Sequence, residues 1–267
     1  MSILEIKDLH FSYGQDEEIL KGINLTFDQR STAIIGQNGA GKTTFVKLLK
    51  GLLKPVQGEI LYNGKSIKDM TVAGLARHIG MVFQNPNDQI FKNVVLEEVM
   101  FGPLQIGMDK DTAHKKTLLA LEMAGLLEEK NANPYDLGLS RRKLVAIASI
   151  LAMDTEVVIL DEPTIAQDYA GKERIKNIIR SLRAEGKTVI TIIHDMNFVA
   201  DVFERAVVFA NGKAVLDDTV KKVFMQKEVL DMAYLEQPDI MKLSLELKFK
   251  EAYLNTDEFV LLNQELL

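Results

Sequence analysis

Gly36-Gln37-Asn38-Gly39-Ala40-Gly41-Lys42-Thr43-Thr44 follows the apolar stretch Ala33-Ile34-Ile35 directly. The order reads as strand, tight loop and helix start. Glycine turns into positive φ without steric cost, so the run can fold back with its N–H groups pointing inward, the arrangement that cradles phosphate oxygens. Lys42 adds a point charge for β- and γ-phosphates, and the Thr43 hydroxyl can ligate Mg²⁺.

Outward from this loop the chain alternates strands and helices. Upstream, residues 3–8 and 19–27 read as β, the second run split by Gly22, with Gly14-Gln15-Asp16 as the turn between them. Downstream, 42–52 reads as a helix with Phe45, Leu48 and Leu49 at helical spacing. Strands are expected at 59–62, 79–83, 156–160 and 188–193, and helices from Ser140 and over 172–184. Residues 205–210 and 213–216, joined by Asn211-Gly212, read as a tight hairpin. Residues 93–127 are expected to be helical with an interruption at Gly102-Pro103. Alternation of this kind predicts an α/β fold with a mostly parallel core sheet, an antiparallel N-terminal β region and an inserted helical subdomain at about 86–155. The main domain is expected over 1–225. A small helical extension is expected over 226–267, where Ile240, Leu243 and Leu247 make an apolar stripe and Asn255 with Glu258 resembles a capping box. The stripe suits either packing back on the main domain or dimerisation.

Bulk composition bounds the function. With 267 residues, 47% hydrophobic and 26% charged, the chain can bury one large core. A net charge of −6 argues against broad nucleic-acid binding, so no nucleic-acid partner is expected. The absence of cysteine excludes disulfides, thiol catalysis and thiolate metal sites, and is compatible with a reducing cytoplasm. The start Met1-Ser2-Ile3-Leu4-Glu5 has no basic-then-apolar pattern, so no signal peptide is expected. No apolar run approaches the ~20 residues of a membrane span; residues 144–153 come nearest and fall far short. Any membrane role would run through a partner.

Four more elements complete a candidate site. Val157-Val158-Ile159-Leu160-Asp161-Glu162-Pro163 is an apolar strand ending in two acids. In a parallel sheet that end lies beside the phosphate loop, where Asp161 can hold Mg²⁺ and Glu162 can act as general base toward a water. His194 ends the next buried strand, on the same sheet edge, where it can orient that water. Gln84, after Val82-Phe83, offers a carbonyl to Mg²⁺ and an amide to water. Tyr13 can stack on an adenine ring.

Taken in order, these residues resemble the nucleotide-binding subunit of an ABC transporter over about residues 3–220. Tyr13 matches that family's adenine-stacking aromatic, residues 36–44 its Walker A loop, Gln84 its Q-loop, Asp161 and Glu162 its Walker B pair and His194 its switch histidine. Within the family the chain is most similar to the energy-coupling factor ATPases, on the strength of Phe83-Gln84-Asn85-Pro86-Asn87-Asp88-Gln89-Ile90-Phe91 and of a tail beginning Leu235-Glu236-Gln237-Pro238-Asp239-Ile240. The resemblance implies ATP and Mg²⁺ as ligands. It implies catalytic roles for Glu162, His194 and Lys42, nucleotide contacts from Tyr13, Gly36, Asn38, Gly39, Gly41, Lys42, Thr43, Thr44 and Gln84, and metal contacts from Thr43, Gln84 and Asp161. It further implies a peripheral place at the cytoplasmic face of the cell membrane, beside an integral membrane coupling protein and a substrate-binding membrane protein, powering import of a vitamin or transition-metal ion.

Two stretches depart from the pattern. The signature Leu-Ser-Gly-Gly-Gln is missing its paired glycines. An ungapped register puts Leu137-Gly138-Leu139-Ser140-Arg141 on it; a gapped one anchors on Leu139-Ser140. The ungapped register is favoured because Pro134-Tyr135-Asp136-Leu137 resembles the usual lead-in. After Walker B, Thr164-Ile165-Ala166-Gln167-Asp168 carries Ala and Gln where Gly and Leu are usual. In this family the signature grips the opposite subunit's ATP, so the departure implies a heterodimer with a second ATPase whose intact signature completes this chain's site. Arg141 or Arg142 could alternatively compensate as a trans arginine. A soluble non-transport ABC ATPase and a regulatory subunit with little hydrolysis are the competing classes.

Overall fold

The computed structural model describes residues 3–14, 17–249 and 252–262. The expected N-terminal start at Met1-Ser2, Gln15-Asp16 of the first turn and the last residues of the extension lie outside them. The described elements run β1 (Leu4–Ser12), β2 (Glu18–Phe27), β3 (Thr32–Ile35), α1 (Lys42–Leu49), β4 (Gln57–Tyr62), β5 (Lys65–Ser66), α2 (Val72–Leu75) and β6 (Ile79–Val82). Then come α3 (Val95–Gln105), α4 (Lys110–Met123), α5 (Leu139–Ala152), β7 (Val157–Asp161), α6 (Tyr169–Ala184), β8 (Thr188–Ile192) and α7 (Met196–Val202). The chain continues through β9 (Arg205–Ala210), β10 (Lys213–Thr219), α8 (Val220–Met225), α9 (Lys227–Met232), α10 (Asp239–Glu246) and α11 (Thr256–Leu262).

Strands β2-β1-β4-β5 form a four-stranded antiparallel sheet, and β10-β9-β3-β8-β7-β6 a six-stranded one. In the larger sheet β9, β3, β8, β7 and β6 are parallel, and only the hairpin strand β10 runs against its neighbour. Its central strands are apolar throughout because both faces are covered. Ile34, Val157, Ile159, Ile190 and Ile192 face α1 and the small sheet, while Ala33, Ile35, Val158, Leu160 and Val189 face the helical layer. Phe45 of α1 bridges the two sheets, with its ring centroid 6.2 Å from Phe27 and 5.2 Å from Phe209.

Local expectations change at α1, at α3 and in the capping box of α11, and the open reading of the α10 stripe is resolved. Helix α1 stops at Leu49 rather than at residue 52, because the chain turns left-handed at Gly51 (φ 73) and Leu52 N–H returns to Lys47 O at 2.9 Å. Helix α3 runs through Gly102-Pro103 instead of breaking there. Pro103 removes one hydrogen bond near the helix end, while Met108 N–H still reaches its carbonyl at 3.1 Å. Gly102 is a close-approach position: a Cβ there would meet Met153 Cγ at 2.8 Å. In α10 the expected stripe faces outward. Met241 and Ser244 are buried, Ile240 is half-buried, and Leu243 and Leu247 are 47% and 61% exposed. The extension is pinned by polar contacts as well. Asn197 Nδ2 donates to Asp239 Oδ2 (2.7 Å) and Asp239 N–H to Asn197 Oδ1 (2.9 Å). Asn255 caps α11 by accepting Glu258 N–H at 2.9 Å, but the Glu258 carboxylate takes Leu254 N–H and Lys221 instead of completing a capping box. Among the described residues no helix is long and apolar enough to cross a membrane.

Candidate active site

Strand order decides what meets at the site. Parallel neighbours β3, β8, β7 and β6 end on one edge, with Asp161 in register with Ile192 and Ile34 also beside Ile192. The loops leaving that edge therefore carry, in spatial order, the phosphate loop, His194, Glu162 and Gln84, although the chain reaches them in a different order. Ligands bind at this edge of open parallel sheets because the loops there diverge to opposite faces.

The phosphate loop is held rigidly. Gly36, Gly39 and Gly41 have φ of 149°, 80° and 96°. At Gly36 a Cβ would sit 2.2 Å from Phe209 O, so only glycine fits there. Lys42 is buried, and its Nζ donates to Gly36 O (2.6 Å) and Gln37 O (2.8 Å), closing the loop on itself. Burial lowers its pKa, and the nearby Glu162 and Asp161 charges oppose that shift. Asn38 and Gly39 lie exposed at the rim. Tyr13 is 64% exposed, braced edge-on by Phe11 with ring centroids 4.8 Å apart, and its hydroxyl lies 3.3 Å from Thr44 Oγ1.

Thr43 Oγ1 donates to Asp161 Oδ1 at 3.5 Å. Burial raises the Asp161 pKa to about 6; the Thr43 hydrogen bond pulls it down, and the adjacent Glu162 pushes it up. Glu162 is buried and sits in the left-handed region (φ 49), a conformation costly for a non-glycine residue and concentrated at functional sites. Its two oxygens are separately engaged. Gln84 Nε2 donates to Oε2 at 2.7 Å, and His194 Nε2 lies 2.8 Å from Oε1. The Gln84 amide thus contacts Glu162. A cleft of about 400 Å³ is shared by Gln84, Thr43, Lys47, Phe83 and Asp161. A second, of about 540 Å³, opens over Gly36, Asn38 and His194 and is walled by Tyr234, Glu236 and Lys242 of the extension.

Sequence reasoning missed Lys143. It is buried in α5, and its Nζ donates to Phe83 O (3.2 Å) and to Gln84 O. Burial lowers its pKa to about 8. The available signal was a cation four residues before Ile147, on the apolar stripe of its helix. The two arginines considered for a trans role are both occupied within the chain. Arg141 pairs with Glu129. Arg142 donates to Pro134 O, Tyr135 O, Leu137 O and Asn87 Oδ1 and lies over the Tyr135 ring. At the start of α5, Gly138 is the N-cap without a side-chain cap, and the following Leu139 is 49% exposed.

Comparison with known proteins agrees with this geometry. The ABC transporter family profile matches residues 20–165. The energy-coupling factor transporter ATP-binding protein EcfA of Methanocaldococcus jannaschii is 38% identical over 246 residues, covering 91% of this chain and 88% of that protein. Among solved structures, CbiO1 from Clostridium perfringens, part of the ABC transporter complex CbiONQ, superposes with a TM-score of 0.77 at 33% identity, covering 92% of this chain and 96% of that one. A dimeric ATP-binding cassette in a post-hydrolysis state with ADP and Pi gives a TM-score of 0.74 at 28% identity, covering 81% of this chain and 98% of that one. The chain therefore belongs to the ABC transporter ATP-binding family and is an ABC ATPase subunit.

Proposed function

We propose that this subunit powers an energy-coupling-factor-type importer of a vitamin or transition-metal ion, as one half of a heterodimer with a second ATPase. The observation that carries the catalytic half of the reading is Glu162, buried, gripped on both oxygens by Gln84 and His194, and adjacent in sequence to Asp161. A carboxylate so oriented can take the proton of a water aimed at a γ-phosphate, and His194 holds its angle. Lys42 and the backbone of Gly36, Asn38, Gly39, Gly41 and Thr44 bind the phosphates, and Tyr13 stacks on the base.

The donor set suits Mg²⁺. Thr43 Oγ1, an Asp161 oxygen and the Gln84 carbonyl are hard oxygen ligands, and Mg²⁺ held by them would neutralise charge on the phosphates. Among the described residues no group of three or more His, Asp or Glu gathers as a metal site, and Mg²⁺ shared with substrate phosphates does not require one.

Relatives named as energy-coupling factor subunits support the transport assignment, and the CbiONQ membership of CbiO1 supports an integral membrane coupling protein and a substrate-binding membrane protein as partners at the cytoplasmic face. The helical layer between residues 86 and 155 and the cleft at Gln84 suit docking of a membrane partner's cytoplasmic helices. The heterodimer rests on α5. Gly138 offers no hydroxyl and Leu139 crowds the helix N-terminus where a partner's phosphate would be gripped. The outward Leu243 and Leu247 of the 226–267 extension suit contact with the second ATPase.

Calorimetry with ATP and Mg²⁺ on the full chain tests the binding half: wild type takes up ATP and Lys42→Ala does not. Co-purification with a second ATPase and a polytopic membrane protein tests the transport half. Uptake unaffected by Lys42→Ala would end the reading.

A further inference from the structure

Ser140 and Gln167 hold each other reciprocally. Ser140 Oγ donates to Gln167 Oε1 at 2.9 Å, and Gln167 Nε2 donates to Ser140 O at 3.1 Å. Ser140 stands in the first turn of α5. Gln167 ends the loop that begins at Glu162 and directly precedes Asp168, the N-cap of α6. Engaging both ends of one amide fixes its orientation as well as its position.

A third residue is fitted to the pair. Gly171 lies in the first turn of α6, and a Cβ there would meet Gln167 Oε1 at 2.2 Å. Glycine in a helix is about 1 kcal/mol worse than alanine, so helix propensity does not account for it; the space it leaves is the space the amide occupies. The intervening loop is short and turned. Gln167 N–H reaches Thr164 O at 3.2 Å, and Ala166 is left-handed at φ 62. In the ungapped register, Ser140 replaces a signature glycine and Gln167 replaces a leucine, and the two departures satisfy each other. One turn along α5, Lys143 holds the carbonyls of Phe83 and Gln84, and Gln84 bonds Glu162. The start of α5 thus reaches the surroundings of Glu162 from two sides.

We infer that the Ser140–Gln167 pair, seated on Gly171, is a positioning link through which the α5 N-terminus sets the geometry of Glu162. This rests on the function proposed above, in which that N-terminus faces the partner subunit's ATP. Seating of the second ATPase against the exposed first turn of α5 moves Gln167 with that turn and shifts the loop rooted at Glu162. Engagement of the partner subunit is then read at this chain's own general base. Gln167 touches no substrate; it acts through Glu162.

Hydrogen exchange and kinetics test the link with Gln167→Leu, Gly171→Ala and Ser140→Thr. In the full chain without nucleotide, Gln167→Leu and Gly171→Ala should speed exchange of the hydrogen-bonded amides 142–146 by about 5- to 10-fold, the loss expected for hydrogen bonds of this kind. In the complex with the second ATPase, both should lower kcat by about 5- to 10-fold with KM for ATP within about twofold, while Ser140→Thr, which keeps the hydroxyl, retains activity. Gly171→Ala is the discriminating variant. It gains helix propensity and displaces chiefly the end of a flexible amide, with tight approaches to Asp168 Oδ1 (3.1 Å) and Gln167 Cβ (3.2 Å) offsetting that gain, so its melting temperature should change little while kcat falls. Unchanged exchange at 142–146, or a kcat that falls only together with melting temperature, overturns the link. Failure of wild type to take up ATP sinks the functional reading instead, and the exchange result in the nucleotide-free chain still judges the pair.

Discussion

Glu162 Oε1 and His194 Nε2 lie 2.8 Å apart although the residues are separated by 32 positions. They meet because β7 and β8 are parallel neighbours whose last residues, Asp161 and Ile192, are in register. With Gln84 on its other oxygen, Glu162 is oriented before any substrate arrives, and preorganised groups need not reorganise during reaction.

Glu162→Gln should lower ATP turnover by about 10²- to 10⁴-fold, the usual contribution of a general base, with ATP affinity changed only slightly. Phosphate release and calorimetry on the same preparation separate the two effects. The chain alone should hydrolyse ATP slowly, and the second ATPase should restore turnover. If Glu162→Gln is silent in the mixture while the partner's equivalent substitution abolishes turnover, the active site belongs to the other half.

Gly36→Ala and Gly39→Ala should differ in stability although both add one methyl to the phosphate loop. At Gly36 the methyl meets Phe209 O at 2.2 Å, whereas at Gly39 nothing lies within 4 Å. Both pay for left-handed backbone, about 1 kcal/mol. The Gly36 variant should lose roughly 2 kcal/mol more from the clash with β9, read from urea unfolding midpoints.

Lys50 supplies a pH test away from the site. Burial lowers its pKa to about 8, and its Nζ donates to Ile79 O. Because the folded pKa is below the unfolded 10.5, the fold disfavours the charged amine. That cost is fully present below pH 8 and disappears as pH rises toward 10.5. Lys50→Met removes the titration. Its stability relative to wild type should therefore be most favourable below pH 8 and fall by on the order of 1–3 kcal/mol by pH 10.5. A wild-type-minus-variant difference flat from pH 7 to 10.5 contradicts this.

Met241→Ala and Leu243→Ala separate the two faces of α10. Met241 is fully buried against the main core and should cost about 2–4 kcal/mol in the isolated chain. Leu243, 47% exposed, should cost no more than about 0.5 kcal/mol there. Under the heterodimer reading, Leu243→Glu weakens association with the second ATPase, measured by analytical ultracentrifugation.

The phosphate loop, the acidic strand end, His194, Gln84 and the parallel sheet were legible along the chain because each is written locally. Positive-φ glycines, apolar strand runs and turn dipeptides act through nearest neighbours in sequence, and the parallel order follows from strand–helix alternation. The interruption expected at Gly102-Pro103 does not occur because Pro103 lies near the end of α3, where it removes one hydrogen bond, and Gly102 serves a close approach to Met153, distant in sequence. The stripe in α10 was visible, but which side of it faced the core depended on where the main domain lay. Lys143, the reciprocal Ser140–Gln167 pair and the capture of Arg141 and Arg142 within the chain were decided only by tertiary structure. Lys143 and the Ser140–Gln167 pair join segments distant in sequence, and Arg141 and Arg142 turn back on the chain just before α5, through polar atoms whose partners no residue pattern can name. Residue types along the chain settled which chemistry is present; the register of β7 against β8 and the docking of α5 settled which atoms share it.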